Sequence, residues 1–282
     1  MATRAWASGD PERAVEILSQ VFEHDSKSFD AVYRRGVLRV HQTPRDALRD
    51  LQQAAALDPS HPGPPVFSGI ALSSLSDFTG AQRAFNRGFQ LAERRQGYSL
   101  ADTSDAAREG LRALTVGRPL AAREAFGRAL QDDRKNPALW YLFGAAALRA
   151  GLNDSCRVAA EQALKLRPRF PAAQSLLAAT YVRDGETEPA LRHLEQALDA
   201  DPRLADAYHQ RALLALKRSE YRDAATDLWV AMLEDPTVID VYFSLGRALG
   251  VMRESEMAVS FLQNAEWIKS AADRYHDRIP GR

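Results

Sequence analysis

Histidines at 24, 41, 61, 193, 209 and 276 are the side chains of this sequence best suited to hold a metal or move a proton near neutral pH, and their spacing supports neither role. None belongs to an H-E-x-x-H pair, which would set two imidazoles on one helix face. There is no G-x-x-x-x-G-K-[ST] loop to cradle phosphates, no G-x-G-x-x-G and no G-x-S-x-G elbow. Cys156, the single cysteine, stands where corresponding positions carry Ala, so a small buried residue is expected there rather than a reactive thiol. Arg149, Arg183 and Lys217 recur at a spacing of 34 residues, and such a ladder of cations could grip an acidic peptide or a carboxylate. The same residues would also complement the dipoles of helices that end there. The chemistry expected is binding: no catalytic residue, cofactor or metal site is assigned.

The bulk composition limits which elements can position these residues. Hydrophobic residues make up 45% and charged residues 26% of 282, enough apolar material for a continuous core. Lys plus Arg and Asp plus Glu each total 37, so no net positive field would draw nucleic acid or an anionic membrane surface. The longest apolar stretches, such as LWYLFGAAAL at 139–148, are about half the length of a membrane span. The opening MATRAWASGD has no charged segment followed by an apolar run, so no signal peptide is expected and the location read is cytoplasmic, the alternative being a periplasmic protein or a secreted one whose leader has been removed.

The strongest signal is a period. Small residues at Ala14, Ala47, Ala81, Ala122, Cys156, Ala190, Ala224 and Ala258 are separated by 33, 34, 41, 34, 34, 34 and 34 residues. Four positions after each comes Leu18, Leu51, Phe85, Phe126, Ala160, Leu194, Leu228 and Leu262, large and apolar in seven of eight. Seven positions after comes Val21, Ala54, Gly88, Ala129, Ala163, Ala197, Ala231 and Ala265, mostly small. Positions i, i+4 and i+7 form one helical stripe, and small side chains on it let a neighbouring helix approach closely. Upstream, Trp140-Phe143-Gly144, Gln174-Leu177-Ala178, Tyr208-Arg211-Ala212 and Tyr242-Leu245-Gly246 mark a first helix that pairs with the second. Turns such as GLNDS at 151–155 and GETEP at 185–189 join the two, and Pro168, Pro202 and Pro236 end the pair.

These residues resemble the tetratricopeptide repeat family, whose pattern is matched best at 137–168, 171–202 and 205–236. The resemblance implies an all-α, right-handed superhelix of helical pairs: about seven full repeats, an N-terminal half repeat and a C-terminal capping helix. It also implies that the residue after the first-helix aromatic, and those five, eight and nine after that aromatic, face a concave groove. In this sequence these places hold Tyr33, Val66 with neighbouring Phe67, Ala107, Tyr141, Ser175, His209 and Phe243, together with Arg149, Arg183, Lys217 and Arg247. The groove set is thus Tyr33, Phe67, Tyr141, Arg149, Arg183, His209, Lys217, Phe243 and Arg247. Chaperone-binding members of the family complete a carboxylate clamp with asparagines. Ala145, Ala179 and Leu213 stand at those places, which argues against heat-shock chaperone tails as the ligand.

Two departures from the period bear on organisation. The first copy has its second helix and almost none of its first. The 41-residue interval adds seven residues around AERRQGYSLADTS at 92–104, read as a longer helix and loop or as a hinge. The chain is therefore divided into a block at 1–95, an insertion at 96–103 and a block at 104–282. At the far end, Trp267, Ala271 and Tyr275 lie at i, i+4 and i+8 of a helix expected to close the last repeat, the alternative being a partner-binding helix. The functional expectation is a non-enzymatic scaffold that takes a peptide or helical segment of a partner protein in its groove, without nucleic acid or membrane insertion. The alternatives are head-to-tail self-assembly through the end at 5–24, and a regulatory segment of a larger protein.

Overall fold

The computed structural model describes residues 2–7, 10–95, 104–115 and 117–276, and every regular element among them is an α-helix. The order is α1 (Ala2–Ala7), α2 (Pro11–His24), α3 (Phe29–Arg39), α4 (Pro44–Leu57), α5 (Gly63–Ser74), α6 (Phe78–Arg95), α7 (Asp105–Thr115), α8 (Pro119–Asp132), α9 (Pro137–Arg149), α10 (Asn153–Leu166), α11 (Pro171–Asp184), α12 (Thr187–Ala200), α13 (Ala205–Lys217), α14 (Tyr221–Glu234), α15 (Ile239–Val251) and α16 (Ser255–His276). Two compact units emerge: one of Met1–Gly97 with Ala215–Arg282, the other of Tyr98–Leu214. One cut, between 97 and 98, falls within the insertion read at 96–103; the other, between 214 and 215, divides the block read at 104–282 and groups residues 215–282 with the N-terminal repeats. The segment 96–103 itself lies outside the described residues.

Local chemistry sets the helix ends. Pro11, Pro44, Pro119, Pro137 and Pro171 sit in the first turn, where a missing N–H costs nothing. Second helices close on Asp58, Asp133, Arg167, Asp201 and Asp235, whose N–H groups bond the carbonyls of Ala54, Ala129, Ala163, Ala197 and Ala231. First-helix aromatics then pin the following turn: Trp140 Nε1 donates to the Arg134 carbonyl at 2.9 Å, and Tyr208 and Tyr242 donate their hydroxyls to the carbonyls of Pro202 and Pro236 at 3.1 and 3.0 Å.

Within each unit, paired helices interlock as the period requires. Ala14, Ala47, Ala81, Ala122, Cys156, Ala190, Ala224 and Ala258 are all buried. So are the large residues four positions on, except Leu262, which lies beside Gly246 and stays 37% exposed. Seven positions on, Val21 is the exception at 45%. The close approach is clearest where the Phe85 ring of α6 sits against Gly69 of α5; a Cβ there would lie 2.8 Å from the ring. A buried ion pair locks α3 to α4: Asp50 accepts from Arg35 at 2.7 and 3.0 Å and from Arg39 at 2.9 Å.

The turn between α3 and α4 holds no left-handed residue, and the turn inside six of the pairs holds one. Gly117, Gly151 and Gly185 supply it with φ of 70, 79 and 82°. Ser76, Ser219 and Arg253 hold the same place with φ of 61, 62 and 67°. A side chain there costs about 1–2 kcal/mol. Ser219→Gly is therefore expected to raise stability by about 1 kcal/mol, read as a higher denaturant midpoint with unchanged slope. A fall in the midpoint would refute the account of this turn.

Candidate functional site

In the first unit, two of the groove residues expected from the sequence, Tyr33 and Phe67, are buried. Tyr33 and Phe67 are 2% and 1% exposed. Tyr33 on α3 packs against Phe29, His61 and Phe67, with ring centroids 5.2, 5.0 and 6.0 Å away. Its hydroxyl donates to the Leu233 carbonyl of α14 at 2.9 Å, across 200 residues of sequence. Leu233 lies in the last turn of α14, whose terminal carbonyls have no partner within the helix, so the phenol caps that end. The phenol reaches it by crossing Gly63, where a Cβ would fall 2.0 Å from the Tyr33 oxygen. Tyr33 and Phe67 are thus corrected from groove lining to core: they pack on each other among Phe29 and His61, and the Tyr33 hydroxyl reaches the chain's own α14. Phe243 is half-buried on α15, while Arg247 and Lys217 are exposed.

The same unit joins its N-terminal and C-terminal helices at further points. Trp6 of α1 is buried and stacks on Trp229 of α14 at 4.2 Å, and Phe261 of α16 meets both rings edge-on at 6.2 Å. The stripe Trp267, Ala271 and Tyr275 faces the N-terminal helices. Trp267 stacks with His41 at 6.5 Å, the Ala271 carbonyl accepts from Gln82 Nε2 at 3.2 Å, and Tyr275 packs on Phe89 at 5.4 Å. Arg274 adds a bond from its Nε to Gln82 Oε1. The expected capping helix is the latter part of the 22-residue α16. Three of the four tryptophans serve this joint, and only their abundance in a repeat that needs few could have flagged it.

In the second unit Tyr141, Arg149, Arg183 and His209 stay partly or fully accessible, whereas Ala107 and Ser175, expected to face the groove as well, are buried. Tyr141 on α9 is half-buried, with its ring 5.5 Å from Phe170 at the start of α11, and Arg167 lies 4.9 Å above the Phe170 ring. Arg149 and Arg183 are exposed in the last turns of α9 and α11, where they also complement the helix dipoles. His209 is half-buried on α13.

Groups suited to chemistry are otherwise built into packing. Cys156 is fully enclosed among Ala147, Ala160, Leu176 and Leu177. Burial pushes its thiol up to about 12, against a smaller opposing pull from Arg183. The neutral thiol is the folded form, so its contribution to stability is complete below the ordinary thiol pKa and lost as pH rises through about 12. Cys156 is expected to resist a thiol reagent at pH 8 until the protein unfolds; stoichiometric labelling of folded protein within minutes would contradict this. His193 stacks on Tyr181 at 5.6 Å and pairs its Nδ1 with Gln174 Oε1 at 2.7 Å; burial lowers its pKa. Among the described residues, no three His, Cys, Asp or Glu side chains gather as a metal would need, and no helix is long and apolar enough to cross a membrane.

Models of the tetratricopeptide repeat match residues 1–43 and 113–180, one in each unit. The chain carries tetratricopeptide repeats at both places. Its fold is shared by a thermophilic tetratricopeptide repeat protein of Thermus thermophilus, 23% identical, with a TM-score of 0.53 over 61% of this chain and 96% of that one. MamA of Desulfovibrio magneticus is 21% identical over 60% of this chain and 98% of its own, with a TM-score of 0.42. Yeast Tom70 is 15% identical over 95% of this chain and 58% of its own, with a TM-score of 0.45. Comparison with curated proteins returned no match. Within tetratricopeptide repeat architecture, the burial of Tyr33 and Phe67 is the departure that bears on function: in the first unit only Phe243, Arg247 and Lys217 of the expected set keep access, while Tyr141, Arg149, Arg183 and His209 of the second unit all do.

Proposed function

We propose that this tetratricopeptide repeat protein is a non-catalytic interaction scaffold, and that the first helices of its second unit take a segment of a partner protein. The observation that carries the reading is the contrast in exposure: Tyr33 and Phe67 are sealed, whereas Tyr141 is half-exposed and Arg149 and Arg183 are exposed one repeat apart. An aromatic face beside repeated guanidinium groups suits an extended or helical peptide with an apolar anchor and acidic flanks. The anchor would supply most of the affinity, and the cations would steer encounter and set the salt dependence.

The test is affinity for a partner captured from the source cell, measured for the wild type and two variants. Tyr141→Ala is expected to weaken binding about 30-fold, the effect of an interface hot spot. Arg149→Glu with Arg183→Glu is expected to slow association and flatten its salt dependence. Unchanged affinity in both variants, with helicity retained, rejects this surface as the site.

A further inference from the structure

We propose that the surface of α1 to α6 is a binding site for α14 to α16 that a second copy of this chain can fill in place of the chain's own helices, producing a dimer of reciprocally exchanged ends. The repeat logic does not call for this contact. Helix pairs bury their stripes against sequence neighbours, yet Gln82 meets Ala271 and Arg274 across 189 and 192 residues, and Tyr33 meets Leu233 across 200.

The joint has the make-up of a protein interface more than of a repeat core. Trp6, Trp229, Phe261 and Trp267 are its large anchors, and Gln82, Arg274 and His41 supply polar groups beside them. The small, Leu and Phe side chains of the second-helix stripe pack within a pair, whereas Trp6, Trp229 and Phe261 cover one another across the joint. If the ends part, both faces are left with apolar surface that an identical chain covers contact for contact. No new bond is needed, because the exchanged joint repeats the internal one.

Within one chain the two faces meet at an effective concentration on the order of mM, so dilute protein is expected as the closed monomer. Exchange is expected when chains fold together near that concentration. The test uses full-length chains carrying Gln82→Cys alone and Arg274→Cys alone, unfolded together, refolded, and treated with a short bis-maleimide. Both positions lie at the edge of the joint, and Cys156 is enclosed in the folded chain.

Mixed dimer is expected to rise with refolding concentration and to exceed cross-linking of either variant alone about tenfold near mM protein. The double variant Gln82→Cys with Arg274→Cys, refolded dilute, is expected to link within single chains. Internal linking without mixed dimer at any concentration overturns the exchange. Absence of internal linking in the double variant overturns it as well, because the joint itself would then be missing.

Discussion

Trp229→Ala is expected to destabilise the first unit by about 3–5 kcal/mol, the cost of emptying a buried aromatic site. Trp229 is buried, with Trp6 stacked 4.2 Å from its ring and Phe261 set edge-on at 6.2 Å. Alanine leaves a void between α1, α14 and α16 that none of these rings can fill alone. The loss extends further, because α1 has six residues, too few to persist as a helix without tertiary support. Two measurements check this: the denaturant midpoint, and the circular dichroism couplet that two stacked indoles produce. Trp140→Ala is the control, since Trp140 is only half-buried and packs on Phe143 in the second unit. A Trp229→Ala penalty no larger than that of Trp140→Ala would sink the claim that the joint is tightly packed.

Gly63→Ala is expected to cost about 2–5 kcal/mol through a steric route that a methyl group rarely opens. The new Cβ would lie 2.0 Å from the Tyr33 oxygen and 2.4 Å from Cζ, so the ring must leave its place. Tyr33 is hemmed in by Phe29, His61 and Phe67, and moving it strips the Leu233 carbonyl of its donor. Tyr33→Leu is expected to lose that bond and much of the packing by itself. Combining the two should then cost little more than Tyr33→Leu alone, since the clash has been removed. Strict additivity in this double-mutant cycle would show that Gly63 is needed for some other reason.

Both results bear on the accessible surface. Residues whose place depends only on neighbouring helices were legible from spacing, which is why Ala47, Leu51, Phe85, Phe126, Leu194 and Leu228 are buried as the stripe requires. Leu262 departs because the last helix turns Phe261 toward Trp6 and Trp229. The turn glycines at 151 and 185 were legible too. Ser76, Ser219 and Arg253 were not, since a left-handed backbone imposed by the pair's geometry leaves no mark when another residue tolerates the strain.

From the residues alone came the helical pair, its 34-residue period, the family resemblance and the burial of Cys156, all of which depend on contacts within a pair or between adjacent pairs. Only the tertiary structure decided that Tyr33 and Phe67 serve the core and that α16 reaches His41, Gln82 and Phe89. Small rotations add from one repeat to the next, and whether distant helices meet depends on their sum. A local spacing records each step and not the total.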